Sequence, residues 1–186
     1  MSLPNVFSFR PSILSRLVVS AVLVVGAERV LAADWSVGVG AGDKGIRKIS
    51  LIAGWDREEP LWQGQEWHLG LRHEVELGIW RIRHASDAAE FGYSPVLRLV
   101  RPLSARASRI FVEGSIGVRL ISHTRLSPNL GMSTMFQFSD MLGMGYQWGT
   151  GQRTTVGIRA THISNGGIKK PNHGLNFGEL YIQRTF

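Results

Sequence analysis

From residue 34 onward, side chains alternate between apolar and polar with a period of two residues. Such alternation is typical of β-strands with one apolar and one polar face, and no later segment has a convincing helical period. We count eight strands, most of them about ten residues long, joined by turn-rich pieces such as residues 149–152. The apolar rows include Val37 and Val39, Leu69 and Leu71, Ile116 and Val118, Val156 and Ile158, and Leu180 and Ile182. The sequence therefore predicts an all-β protein.

Eight antiparallel strands with one apolar face are expected to close into a small barrel, because closure removes unpaired edges. Parity alone does not say which face is inside. A soluble lipocalin-type barrel keeps its apolar face inward, whereas an outer-membrane barrel turns that face toward lipid.

Three features favour the membrane barrel. The polar face carries both charge signs, which can pair inside a filled lumen; its members include Arg72, Glu74, Glu76, Arg98, Glu113, Arg119 and Arg159. Aromatic residues lie near the ends of several apolar rows, as in an interfacial girdle; they are Trp35, Trp55, Trp67, Tyr93, Phe136 and Tyr146. The chain also stops on an aromatic, Phe186. We therefore expect an eight-stranded antiparallel transmembrane β-barrel over residues 34–186.

Residues 1–33 have the pattern of a cleaved secretory signal. Arg10 and Arg16 precede the apolar run of residues 17–25, and small residues suitable for cleavage follow near Ala33. The run is too short to span a bilayer, which takes about 20 residues. The rest of the chain is long enough for one domain.

The composition narrows the classes of function. The formal net charge is +7, which suits an anionic partner such as a phosphorylated lipid surface and equally suits scattered surface charge. There is no cysteine, and the sequence has no phosphate-binding glycine loop or nucleic-acid motif. Four histidines are scattered without metal-ligand spacing: His68, His73, His84 and His123. We expect no metal, no organic cofactor and no nucleic-acid partner.

The seventh strand, from about Thr154 to Asn165, carries an imidazole and a hydroxyl near its end. His162 and Ser164 share the apolar face with Ile158, so both face lipid if the barrel spans a membrane. Because both termini of such barrels lie in the periplasm, this strand runs outward and ends near the outer leaflet. Histidine could take the proton of the serine hydroxyl, which would then attack an ester carbonyl. A serine and a histidine at the headgroup level without catalytic role are the alternative.

Residues 162–165 (His-Ile-Ser-Asn), the glycine-containing stretch to Lys170, and residues 171–176 (Pro-Asn-His-Gly-Leu-Asn) resemble the signature of the lipid A 3-O-deacylases, the PagL family. The resemblance implies an integral outer-membrane barrel whose Ser-His-acid site, on the outer wall, hydrolyses the ester-linked 3-hydroxyacyl chain at the 3-position of lipid A. Lipid A, or lipopolysaccharide, is then the expected partner, and a homodimer is left open. By position, His162 is the base and Ser164 the nucleophile.

The third member of the site departs from the family pattern. The family's acidic residue follows the serine by twelve positions, where this chain has Asn176. Asparagine can accept a hydrogen bond from the imidazole and orient it, but it adds no negative charge to stabilise an imidazolium. Glu179 is close in sequence, yet its parity should point it into the lumen.

Asp140 is the alternative orienting residue. It lies on the apolar face of the sixth strand, where an unpartnered carboxylate is costly. If the hairpin pairs Trp148 with Thr154, Asp140 lies opposite His162. The alternative is an aspartate that binds a loop amide.

The loop after Ser164 holds candidate donors for an oxyanion, which needs preorganised N–H groups. They are Asn165, the backbone amides of Gly166 and Gly167, and Asn172. Lys169 and Lys170 could contact a lipid A phosphate or be solvated. Two other functions stay open: a non-catalytic small outer-membrane barrel with a structural or surface-interaction role, and a periplasmic lipocalin-like carrier.

Overall fold

The computed structural model describes residues 34–103 and 107–185. The predicted signal segment and the terminal Phe186 lie outside the described residues. No helix in the described ranges is long and apolar enough to cross a bilayer.

Eight long antiparallel strands form one closed sheet, because each pairs with its neighbours in sequence and the last pairs with the first. They are β1 (Asp34–Gly42), β2 (Arg47–Asp56), β3 (His68–Arg81), β4 (Ala88–Leu103), β5 (Ser108–Ile121), β6 (Phe136–Trp148), β7 (Thr154–Ser164) and β8 (Leu175–Arg184). The connections hold short strands at Trp62–Gln63, Arg125–Ser127 and Leu130–Gly131, and 3-10 turns at Asp43–Gly45 and Thr150–Gln152. The predicted eight-stranded antiparallel barrel is confirmed.

The apolar face of each strand points outward. Ile116 is 71% exposed and Leu142 is 65% exposed, values that would be unusual for a packed core. The same outward face carries aromatic residues: Phe136 and Tyr146 lie at or near the two ends of β6, whereas Tyr93 lies inside β4. A continuous outward apolar surface of this kind is the face that a membrane barrel presents to lipid.

Charged side chains fill the lumen and pair with one another. Arg159 donates to both Glu74, at 2.9 Å, and Glu113, at 2.7 Å, and all three side chains are buried. Lys48 forms ion pairs with three carboxylates, among them Glu179 at 3.4 Å. Glu179 therefore points into the lumen, as its parity predicts. Pairing of this kind is what allows ionised groups to be buried.

One end of the barrel carries the connections at residues 43–46, 82–87, 122–135 and 165–174, and we call it the loop end. Here a cluster of apolar side chains is buried inside the barrel. This mouth cluster consists of Ile46, Trp80, Ile82, Ala88, Ile121, Leu126, Leu130, Met132, Ile163, Leu175 and Phe177. It draws residues from the strands and from the 122–135 connection, so it fixes the loops over the strand ends.

Candidate active site

The mouth cluster determines which side chains near the loop end point outward. Ile163 on β7 is fully buried in that cluster, so its neighbours His162 and Ser164 lie on the opposite face. The same holds on β8, where the buried Leu175 and Phe177 flank the exposed Asn176. Because the inward-facing residues are buried, the polar residues between them face outward at the loop end of β7 and β8.

His162 and Asn176 are direct cross-strand partners. Their side chains meet: Nδ1 of the imidazole lies 2.8 Å from Oδ1 of the asparagine. Because a carbonyl oxygen only accepts, Nδ1 carries the proton of this bond. The other ring nitrogen, Nε2, is then free to accept a proton.

Asp43 binds the side chain of Asn176 on the side away from His162. Its Oδ2 accepts a hydrogen bond from Nδ2 of Asn176, at 2.8 Å, and a second from the backbone N–H of the same residue, at 3.0 Å. A carboxylate can bind only the NH₂ side of the amide, so Oδ1 must face the imidazole. The result is a polar chain from His162 through Asn176 to Asp43.

The position of Asp43 follows from barrel closure. It is the first residue of the 3-10 turn after β1, and β1 pairs with β8 so that Gly42 lies opposite Phe177. The next residue of the chain therefore comes beside Asn176. Sequence reasoning missed this carboxylate, although the register of the first and last strands was the signal that could have located it.

Asp140 lies where the hairpin register predicts. Trp148 pairs with Thr154, and Asp140 is the cross-strand partner of His162 on the β6 side, with its side chain exposed. The hydrogen bond of the imidazole Nδ1 nevertheless goes to Asn176 on the other side. His162 thus has an asparagine on one flank and an aspartate on the other.

Ser164 ends β7 on the same outward face as His162. Its Cα lies about 7 Å from that of the histidine, the usual spacing of residues two apart in a strand. The serine Oγ accepts a hydrogen bond from the backbone N–H of Gly166, at 3.4 Å. Within residues 34–103 and 107–185, no hydrogen bond joins the serine hydroxyl to the imidazole.

Asn165 is fully buried and organises the loop after the serine. Its Nδ2 donates to the carbonyls of Met132, at 2.8 Å, and Lys169, at 2.7 Å, and its Oδ1 accepts from Gly167 N–H, at 2.9 Å. Its own backbone N–H donates to Oδ1 of Asn172, at 3.2 Å. The side-chain donors of Asn165 are therefore used to tie the 165–174 connection to the 122–135 connection.

Of the other candidate residues, Gly166 and Gly167 have φ angles of +64° and +83°, which favour glycine. Lys169 and Lys170 are exposed on the same connection. Among the described residues, no group of three or more metal-ligating side chains is arranged to hold an ion.

The backbone conformation and the packing of Gly174 explain why the Pro-Asn-His-Gly segment has glycine at this position. Its φ angle is +60°, and a Cβ at this position would lie 2.9 Å from Cε1 and 3.5 Å from Nε2 of His162. The backbone of Gly174 thus packs against the imidazole and limits its rotation. A larger residue would displace the ring from the position in which Nδ1 meets Asn176.

Comparisons with known proteins show the family to which the chain is similar. The family model described as Lipid A 3-O-deacylase (PagL) matches residues 47–185. The lipid A deacylase PagL of Pseudomonas aeruginosa is 30% identical over 168 residues, which cover 89% of this chain and 94% of the relative. The lipid A deacylase PagL of Bordetella bronchiseptica is 36% identical over 78 residues, 42% of each chain.

The fold is also similar to a solved structure. A crystal structure of the outer membrane enzyme PagL superposes with a TM-score of 0.75 and 26% sequence identity. The match covers 83% of this chain and all of the solved chain. The resemblance inferred from the motifs is therefore confirmed by sequence and by structure.

Replacing Gly174 with alanine is expected to disturb the imidazole. The added Cβ displaces the ring, so His162 loses its preference for the Nδ1–H tautomer. Long-range ¹H–¹⁵N correlation spectra of the imidazole nitrogens, recorded in micelles at alkaline pH, measure that preference. Gly149→Ala is the matched control, because its φ is +93° but a Cβ there contacts nothing within 4 Å. An unchanged tautomer in Gly174→Ala would contradict the packing argument.

Proposed function

Because this chain belongs to the lipid A 3-O-deacylase (PagL) family, we propose that it is an outer-membrane hydrolase that removes the ester-linked 3-hydroxyacyl chain at the 3-position of lipid A. One observation carries the proposal for this chain. An exposed imidazole, oriented through Nδ1 by Asn176, lies beside Ser164 on the outward wall of the barrel.

The location of the site suits a lipid substrate. In outer-membrane barrels both termini lie in the periplasm, so the loop end, opposite the termini, is at the outer leaflet. His162 and Ser164 then lie at the depth where the acyl esters of lipid A meet the headgroup. The ester reaches the serine laterally from the membrane, and water reaches it from the headgroup side.

The chemistry follows from the hydrogen bonds of the imidazole. Nε2 of His162 takes the proton of the Ser164 hydroxyl while Oγ attacks the ester carbonyl and forms a tetrahedral intermediate. The intermediate collapses to an acyl-serine, and the imidazolium returns its proton to the departing sugar oxygen. Water, deprotonated by the same nitrogen, then cleaves the acyl-serine and releases the fatty acid. Catalytic hydrogen bonds are often long in the free enzyme and tighten with substrate, which accounts for the absent Ser–His bond among the described residues.

Asp43 supplies the negative charge that Asn176 lacks. The imidazolium formed during attack is stabilised by Oδ1 of the asparagine, whose dipole is polarised by the carboxylate bound to its NH₂ group. Charge-assisted hydrogen bonds are roughly twice as strong as neutral ones, so this second link also keeps the amide from rotating. Asn176 is thus the orienting residue and Asp43 the residue that positions it.

Donors for the oxyanion come from the loop after the serine. The N–H of Gly166 donates to Ser164 Oγ, so it lies beside the point where the ester carbonyl would be attacked and is one donor for the carbonyl oxygen, which takes the negative charge. Nδ2 of Asn172 has no partner within the described ranges and is a second donor. Asn165 contributes by holding the loop that carries them, since its side-chain donors bind carbonyls.

The direct test uses purified, folded barrel incubated with lipid A, with mass spectrometry of the products. The wild-type protein is expected to remove one 3-hydroxyacyl group, and Ser164→Ala and His162→Ala are each expected to lower the rate by at least about 10³-fold, as for nucleophile and base in serine hydrolases. Ser86→Ala, an exposed serine at the loop end, is the control and keeps full activity. If the folded wild-type barrel gives no deacylated product, the non-catalytic alternative is favoured.

A second test exchanges the amide and the carboxylate behind the histidine. Asp43→Asn removes the charge and lets the Asn176 amide rotate, so we expect kcat to fall about 10–100-fold. Asn176→Asp alone puts two carboxylates in contact and is also impaired. The double variant Asp43→Asn/Asn176→Asp restores a carboxylate that accepts from Nδ1 and an amide that donates to it, and should recover most of the rate.

The same assay tests Asp140 by substitution with asparagine. Asp140→Asn is expected to retain activity, since the imidazole Nδ1 is bound to Asn176. Loss of activity in Asp140→Asn with no effect of the Asp43 and Asn176 changes would reverse the assignment.

A further inference from the structure

Two arginines face each other on the outward wall at the loop end. Arg47 on β2 and Arg81 on β3 are direct cross-strand partners, and both are exposed. Like charges in that arrangement destabilise a sheet unless something compensates them. Arg81 has an ion pair with Asp87, at 3.1 Å, but its side chain is 72% exposed, and such surface pairs contribute little. Positive charge therefore remains in excess at this position.

The two arginines line a cleft of about 620 Å³. The cleft lies between the 43–46 turn and the 82–87 connection, and Arg83 and Asp87 also line it. Three guanidinium groups against one carboxylate give the cleft a net positive charge. Arginine binds phosphate by paired N–H donors, which makes a phosphate group the matching ligand.

A continuous row connects this cleft to the candidate active site. Residues paired in register across five strands all face outward: Ala160, Gly178, Ala41, Arg47 and Arg81. The first three are small, and we call them the small-residue strip. The strip begins at Ala160, two residues from His162 on β7, and ends at Ala41, the cross-strand partner of Arg47.

Packing does not require glycine in the strip. A Cβ added at Gly178 would meet no atom within 4 Å, so a side chain would fit there without displacing any neighbouring atom of the protein. The small side chains of the strip instead leave space for a ligand on the outer surface of the barrel. Adjacent strands are about 4.8 Å apart, so the three steps from β7 to β2 span roughly 14 Å. A headgroup of two sugar rings has dimensions that suit such a span.

We propose that Arg47 and Arg81, with Arg83, form a subsite for a phosphate monoester on the headgroup of the lipid whose ester is held at Ser164. The headgroup lies across the small-residue strip, and its phosphate compensates the two opposed arginines. This inference rests on the proposed function, because it takes lipid A as the substrate.

The test measures binding separately from turnover. In a Ser164→Ala background, which holds substrate without cleaving it, Arg47→Gln/Arg81→Gln is expected to raise the Kd for phosphorylated lipid A in detergent micelles about tenfold. The Kd for lipid A from which the phosphates have been removed should be unchanged by the same pair of substitutions. Calorimetric titration gives both values.

The matched control is Arg101→Gln/Arg153→Gln, which removes the same charge at the opposite end of the barrel. It should leave both affinities as they are. An equal loss for both lipids in the Arg47/Arg81 variant, or no loss for the phosphorylated lipid, would overturn the subsite. Inorganic phosphate identifies the source of the ligand: if millimolar phosphate displaces the lipid from the Ser164→Ala protein as strongly as the arginine substitutions do, the cleft takes the free anion and the headgroup assignment fails.

Gly178→Leu tests the path of the headgroup. The barrel is expected to fold, because the position is open, while binding of both lipid forms weakens. Unchanged affinity would mean that the headgroup does not cross the strip, and the proposed subsite would fail.

Turnover by the protein with Ser164 intact keeps the two proposals apart. Arginine-dependent binding without any deacylation would reject the proposed function and retain the subsite. Deacylation by a protein whose lipid binding does not depend on Arg47 and Arg81 would retain the proposed function and reject the subsite.

Discussion

Ion pairs inside the lumen decide which face of every strand points inward. A register slip of one residue in β3, β4, β5 or β7 would turn the buried arginine of that strand toward lipid; these side chains are Arg72, Arg98, Arg119 and Arg159, one on each strand. Each such side chain costs about 2–4 kcal/mol near the bilayer centre, a large fraction of the roughly 5–15 kcal/mol by which a domain is stable. The slip would also leave the carboxylate partners of that arginine without compensation. The outward face of each strand is therefore strongly specified, because the ion pairs in the lumen determine which residues face inward and which face outward.

The candidate active site depends on the same constraint, although it lies on the outer surface. At the loop end the charges give way to the mouth cluster, which buries Ile163, Leu175 and Phe177 and so turns His162, Ser164 and Asn176 outward. Barrel closure then brings Asp43, from the other end of the sequence, behind the asparagine. A site built in this way needs no internal cavity. It lies on the outward wall, where the proposed function has an acyl ester reach it from the surrounding lipid.

Alternation along each strand made much of this arrangement predictable. Parity predicted the outward position of His162 and the lumenal position of Glu179, and the β6–β7 turn predicted that Asp140 is opposite His162; the structure confirms these three placements. Local patterns could not reveal Asp43, because its role depends on the register between strands that are 133 residues apart along the chain. Nor could they reveal that Asn165 clamps two connections, since its partner Met132 lies in an irregular loop without any period. Gly174 was visible in the motif, but its contact with the imidazole depends on the three-dimensional path of the 165–174 connection.

The central claim is that an outward-facing serine on the barrel wall is a nucleophile activated by His162. Covalent capture tests it most directly: the folded protein is treated in micelles with a long-chain alkyl fluorophosphonate, and the adduct is mapped by peptide mass spectrometry. The account predicts one adduct, on Ser164, that forms slowly in His162→Ala and is absent after heat unfolding. Labelling of another residue, or equal labelling of folded and unfolded protein, would contradict it.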